Sequence, residues 1–242
     1  EYLPERWQGR EWLSGFTGSV RTLVVTEDFG GVWVDSRYWT QAEGQLAGTG
    51  IELMKIGGAG SPAHLDWLAE HIAPGARVAV DGAVLGLSGA RALQSALSER
   101  GIQLRTDLDL LNDVWDDRAA LPAQPVYEHL APFAVTPRAD KLAAVRQQMK
   151  QLGASHHWIS TLDDIAWLTN LRGADVSYNP VFVAHLLLDA KGATLFVAEG
   201  KVNAKLASRL AAYGIALARY DQATAALKAL PATAKLLVDP RR

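Results

Sequence analysis

Trp12-Leu13-Ser14-Gly15-Phe16-Thr17-Gly18-Ser19 and Trp167-Leu168-Thr169-Asn170-Leu171-Arg172-Gly173-Ala174 align without a gap. They share the Trp-Leu start, a small hydroxyl residue in third place and a glycine in seventh. Eight residues alone can coincide by chance, so the weight falls on the segments downstream of each copy. After the first, two β-rich runs, Thr22 to Thr26 and Gly31 to Asp35, flank Asp28-Phe29-Gly30, the pattern of a hairpin with a short loop. After the second, Val181 to Leu188 and Ala193 to Val197 flank Asp189-Ala190-Lys191-Gly192 in the same way. Each hairpin then precedes a helical pattern, a strand, another helical pattern and a strand ending in aspartate. The first series is Tyr38 to Leu46, Ile51 to Ile56, Leu65 to Ile72 and Val78 to Asp81. The second is Val202 to Tyr213, Ile215 to Tyr220, Ala223 to Leu230 and Leu236 to Asp239. The chain reads as a duplicated α/β unit with Trp12 and Trp167 in equivalent places, and the hairpins make each sheet mixed rather than wholly parallel.

The helices follow from spacing and caps. Val202, Leu206, Leu210 and Tyr213 form a stripe closed by Gly214; Leu65, Leu68 and Ile72 form another, with Ser61 as cap and Pro62 in the first helical position. Thr161-Leu162-Asp163-Asp164 has the pattern of a capping box ahead of Ile165 to Leu171. Thr136 and Pro137 open a helix striped by Leu142, Val145, Met149 and Leu152. The second copy carries this helix and a strand, Ser155 to Ser160, for which the first copy has no room. The first copy instead continues past Asp81 through a helix, Gly89 to Leu97, and a strand, Ile102 to Arg105, whereas the second stops at Arg242. The reading is therefore a first domain at 1–121 short at its front, a proline-rich linker at 122–137 marked by Pro122, Pro125, Pro132 and Pro137, and a second domain at 138–242 short at its end.

A chain of 242 residues can bury sizeable cores in one or two such domains. Its 49% hydrophobic and 21% charged residues, with no low-complexity tract, exclude bulk disorder. A net charge of −2 leaves no cationic excess to neutralise phosphates, and Lys and Arg do not cluster, which argues against nucleic acid as a partner. The absence of cysteine excludes disulfides, thiolate metal sites and a cysteine nucleophile, and fits a reducing compartment. The longest apolar run, Val181 to Leu188, is broken by His185 and falls short of the ~20 residues of a membrane span. The start, Glu1-Tyr2-Leu3-Pro4-Glu5-Arg6-Trp7, has neither an initiator methionine nor the plan of a signal peptide and reads as the interior of a longer chain.

Candidate chemistry is sparse. Asp35-Ser36-Arg37-Tyr38 falls where a strand gives way to a helix, at the carboxyl edge where open α/β sheets present ligand groups. Two readings stand: Asp35 or Ser36 caps the helix with Arg37 a surface or interface charge, or Arg37 is offered to a ligand. Asp175, Tyr178 and Asn179 form a polar loop, with a turn role the simpler reading. His156 and His157, adjacent in a strand, project to opposite faces and are poorly placed to share a metal. No His-Glu-x-x-His or paired-carboxylate helix occurs, and Asp163-Asp164 suits a helix start. Gly15 and Gly18 lack the Lys-Ser/Thr of a phosphate loop, and Ser14 and Ser19 lack a nucleophile elbow. Taken by themselves, these residues describe two related α/β domains without a complete active site.

At the same residues the sequence resembles the Xaa-Pro aminopeptidases (aminopeptidase P) of the creatinase and prolidase superfamily. Glu1-Tyr2, Trp12 to Ser19, Trp33-Val34-Asp35-Ser36-Arg37-Tyr38 and Gln41-Ala42 resemble the family's first-domain signature. Leu162-Asp163-Asp164-Ile165-Ala166-Trp167-Leu168, Asn170-Leu171-Arg172-Gly173, Asp175 and Asn179-Pro180-Val181-Phe182 resemble that of the second. One departure is Arg21, where the family usually has Gly, so the start of that strand is expected to differ locally. The resemblance implies an α/β fold of two duplicated creatinase N-terminal-like domains, each a mixed sheet flanked by helices. The catalytic pita-bread domain, which binds two divalent metals, usually manganese, lies outside these residues, so no catalytic residue, metal ligand or cofactor is assigned within the chain. It further implies a cytoplasmic homodimer that acts on peptides with proline in second position, with neither nucleic acid nor membrane as partner. In that picture the first two domains serve assembly and closure of the substrate site, with Arg37 near the substrate entrance. The other reading is a stand-alone, non-catalytic binding module or pseudo-enzyme of the same superfamily.

Overall fold

The computed structural model describes residues 3–19, 21–58 and 60–241; Glu1 and Tyr2 of the first-domain signature lie outside them. Residues 6–118 form one compact unit and residues 119–240 another. No helix among the described residues is long and apolar enough to cross a membrane.

The first unit runs α1 (Gly9–Ser14), β1 (Arg21–Val25), β2 (Gly30–Asp35), α2 (Trp39–Leu46), β3 (Glu52–Ile56), α3 (Ala63–His71), β4 (Arg77–Ala79), α4 (Leu87–Ser98) and β5 (Gln103–Arg105). β1 pairs antiparallel with β2 from Arg21 opposite Val34 onwards, and β2 pairs parallel with β3, giving the expected mixed sheet. Alternation along β1 sends neighbouring side chains to opposite faces: Leu23 packs with Phe16, Val32, Val34 and Ala42, while Val24 packs with Leu68, Leu97 and Ile102 of the α3–α4 layer.

The second unit runs β6 (Tyr127–Glu128), α5 (Arg138–Gln151), β7 (His156–Ile159), α6 (Leu162–Thr169), β8 (Leu171–Arg172), β9 (Ala184–Asp189), β10 (Ala193–Val197), α7 (Ala204–Ala212), β11 (Ile215–Arg219), α8 (Ala223–Lys228) and β12 (Leu236–Leu237). Its five-stranded sheet has the order β11-β10-β9-β7-β12 and is mixed. Here β7 lies between the hairpin strand β9 and β12. The first unit has no counterpart of β7 among the described residues, and β4 pairs only with β5, so that unit holds a second, two-stranded sheet, as the second unit does in its β6–β8 pair.

Four places in the duplicated segment have a physical reason in both units. The third-place hydroxyl bonds back one turn, Ser14 Oγ to the Arg10 carbonyl at 2.7 Å and Thr169 Oγ1 to the Ile165 carbonyl at 2.6 Å. The fourth residue ends the helix in the left-handed region, Gly15 at φ 67° and Asn170 at φ 51°. The fifth, Phe16 or Leu171, is fully buried. A Cβ on the seventh would meet Phe16 Cζ at 2.5 Å from Gly18, or Phe182 Cβ at 2.6 Å from Gly173, so both places are crowded and Gly173 admits no Cβ without a backbone shift. The hairpins close alike, Thr26 N donating to the Phe29 carbonyl and Asp189 N to that of Gly192.

Three local expectations change. The strand expected from Val181 begins only at Ala184, because Val181 N donates to the Asn179 carbonyl and Val183 N to Asp175 Oδ2, which ties this stretch into the preceding loop. Thr161 sits at the N-cap of α6, but its side chain makes no capping bond. The stretch 122–137 carries β6, which pairs with β8, and places Val126 in the core of the second unit.

Candidate functional site

The geometry of interest lies at the carboxyl ends of the strands. β2 is buried to its last residue, Asp35, whose extended backbone turns the chain outward. Asp35 Oδ1 accepts from Arg37 N at 3.1 Å and from Arg37 Nε at 3.0 Å, and Oδ2 accepts from Nη2 at 2.7 Å. A carboxylate thus caps the turn and grips the guanidinium through a two-pronged fork. That hydrogen bonding to Arg37 holds the Asp35 carboxyl below its ordinary range, and Asp35 in turn raises the Arg37 guanidinium. The guanidinium carbon lies 5.5 Å from the centre of the Tyr38 ring.

The same fork recurs at two other strand ends, Arg105 with Asp107 after β5 and Arg219 with Asp221 after β11. There the carboxylates are exposed, at 63% and 60%, whereas the Asp35 side chain is 3% exposed and that of Arg37 60%. Arg37 alone among these three is an open cation anchored on a closed carboxylate. The fork also leaves Nη1 without a protein partner among the described residues, a donor edge fit for a carbonyl or carboxylate.

In the second unit the loop residues singled out by sequence divide. Asp175 is structural: its side chain is closed to solvent, Oδ2 accepts from Val183 N at 2.6 Å and from Lys201 Nζ, and Oδ1 is buried without a hydrogen-bond partner. Lys201 Nζ also donates to the Pro122 carbonyl at 3.2 Å. Burial pushes the Lys201 ammonium below its ordinary value, with Asp175 acting in the opposite direction. Asn179 is half-buried and bridges back to Val176, and Tyr178 is fully exposed between them.

Sequence reasoning missed Lys201. The signal was the repeat itself, since aligning the two hairpins sets Lys201 on Tyr38, and aligning the Trp-Leu segments sets Ala174-Asp175 on Ser19-Val20. At that place in the first unit Ser19 Oγ and Tyr38 OH lie 2.6 Å apart, so both units tie the loop before the hairpin to the turn after it. The adjacent histidines have separate partners, His156 Nδ1 with Ser155 Oγ at 2.9 Å and His157 Nδ1 with the Leu237 carbonyl at 3.0 Å. Asp163 and Asp164 lie exposed in the first turn of α6. Among the described residues no three His, Cys, Asp or Glu side chains are grouped to hold a metal ion.

A family model described as the Creatinase/Prolidase N-terminal domain matches residues 117–242, more than half of the chain. The chain belongs to the creatinase and prolidase N-terminal domain family. A second model of that description matches residues 6–109, so the family accounts for both units. Among curated creatinase-family relatives, Aminopeptidase P2 of Arabidopsis thaliana is 37% identical over 99% of this chain but only 34% of its own length. Xaa-Pro aminopeptidase 1 of Dictyostelium discoideum is 32% identical over 100% of this chain and 40% of its own. Among solved structures, an X-prolyl aminopeptidase of Caenorhabditis elegans, described as a cytosolic enzyme with a di-nuclear active site, matches with a TM-score of 0.87 at 27% identity. That match covers 94% of this chain and 37% of the other. The chain therefore spans roughly a third of the length of these relatives.

Proposed function

We propose that the chain is the N-terminal part of a metal-dependent Xaa-Pro aminopeptidase, which removes the residue ahead of a proline in second position, and that this part serves assembly and substrate gating. The observation carrying the reading is its end-to-end alignment with about a third of two such enzymes. The described residues group no ligand set for two divalent metals, so the metals, manganese in this reading, are assigned to the remainder of the parent. Arg37 positions substrate by hydrogen bonding and makes or breaks no bond. The parent is read as a cytoplasmic homodimer, in keeping with a cytosolic relative.

The test compares the 242-residue chain with the full-length parent on an Xaa-Pro peptide in the presence of manganese. Hydrolysis by the parent and none by the chain is the expected outcome; turnover by the chain alone would overturn the division of labour. A coding sequence that stops after Arg242 would instead favour the stand-alone binding module.

A further inference from the structure

We infer that Tyr178 is a docking residue, carried on a rigid hairpin that seats its ring on the domain following residue 242 in the parent. The inference rests on the proposed function in one respect, that such a domain follows.

The base of the hairpin is tightly built. Gly173 N donates to the Pro180 carbonyl, Asp175 N to that of Val181, and Val176 and Asn179 bridge across the tip. Beneath them Asp175 is held by Val183 N and Lys201, and Phe182 is fully buried. On this base stands an aromatic side chain as exposed as in an extended peptide, at 107%.

Its backbone lies at φ 63°, a left-handed conformation that a Cβ disfavours and a glycine adopts freely. The other non-glycine residue in this region among the described residues, Asn170, has a local reason to be there. It ends α6, its Oδ1 accepts from Lys141 Nζ at 2.6 Å, and its Nδ2 donates to the Thr136 carbonyl at 2.9 Å. Tyr178 makes no such contact among the described residues, so folding of this unit gives no reason for a tyrosine at that φ. A large amphipathic ring on a preorganised backbone loses little entropy on burial, which suits it to anchor an interface.

Topology selects the occupant. Ala184 at the start of β9 pairs with Val197 at the end of β10, and Val197 pairs with Arg219 at the end of β11. β9 runs antiparallel to β7, and β12 runs parallel to β7. The loop entering β9 and the chain leaving β12 are therefore on the same edge of the sheet. A domain that follows in the parent is therefore tethered from the sheet edge that carries the hairpin, which raises its effective concentration there.

The probe is tetranitromethane, with Tyr178 nitration followed by peptide mass spectrometry and Tyr127, 52% exposed, as the internal comparison. In the 242-residue chain Tyr178 should react readily; in the full-length parent it should react at least ~10-fold more slowly. Tyr178→Gly in the short chain should melt no lower than wild type, because glycine suits the backbone there. Equal nitration in chain and parent overturns the inference even if the parent cleaves Xaa-Pro peptides. Protection in a parent lacking that activity keeps the docking and removes the functional reading. Protection that depends on protein concentration, or that arises only when an Xaa-Pro peptide is added, assigns the ring to a second copy or to substrate and overturns docking on the following domain.

Discussion

Lys201 holds its ammonium against the Asp175 carboxylate, with both side chains closed to solvent. Three stretches distant in sequence meet there: the Pro122 carbonyl, the loop ending at Val183 and the turn after β10. Lys201→Met leaves a buried carboxylate without its cation and should lower stability by about 3–5 kcal/mol. Urea unfolding of the 242-residue chain measures this, and adding Asp175→Asn should restore part of the loss. An unchanged midpoint in the single variant would show the pair to be dispensable.

His185 is stacked between Trp158 and Tyr220, with ring centres 4.9 and 5.0 Å away, and its Nδ1 is buried without a hydrogen-bond partner. Burial lowers its pKa from 6.5 to about 4. Between those values the unfolded chain binds the proton and the folded chain does not, so stability is complete above pH 6.5 and falls as pH drops towards 4. The shift corresponds to about 3 kcal/mol. His185→Phe should remove this part of the acid sensitivity, read as the difference in urea midpoint between neutral and acidic buffer. The same acid loss in the variant would assign it to other groups.

Gly173 and Gly18 occupy equivalent places with unequal surroundings. The Cβ of Gly173→Ala would meet Phe182 Cβ at 2.6 Å and the Val181 carbonyl oxygen at 3.2 Å, neither at the end of a flexible side chain. That of Gly18→Ala would meet the far end of the Phe16 ring. Gly173→Ala should therefore cost more, about 1–3 kcal/mol. Thermal melts of the two variants decide the order, and a larger loss from Gly18→Ala would contradict it.

Arg37→Ala in the full-length parent should lower kcat/KM roughly ten-fold or more with assembly unchanged, and should also lower the melting temperature, because it strips the closed Asp35 carboxylate of its guanidinium. Arg37→Lys should not restore the rate, since an ammonium cannot reproduce the fork on Asp35. Wild-type kinetics, or activity lost in step with assembly, would leave Arg37 a structural residue.

The duplication, the two hairpins and most helices were legible in the sequence because each depends on neighbours. The hydroxyl bonds one turn back, the glycine or asparagine ends the helix, and alternation along β1 and β9 distributes side chains between faces within a few residues. The fork was legible for the same reason, Asp35 and Arg37 being two residues apart. The Lys201–Asp175 pair was not, since 26 residues separate its members and nothing local marks Lys201 for burial. Nor was the late start of β9, which depends on Val183 finding the Asp175 carboxylate. The sequence by itself determined which segments are helix, strand or turn, through steric fit and short-range hydrogen bonding. Only the tertiary structure decided which carboxylate is buried, which arginine remains open and which strand β4 joins, because desolvation and strand pairing depend on groups brought together from distant parts of the chain.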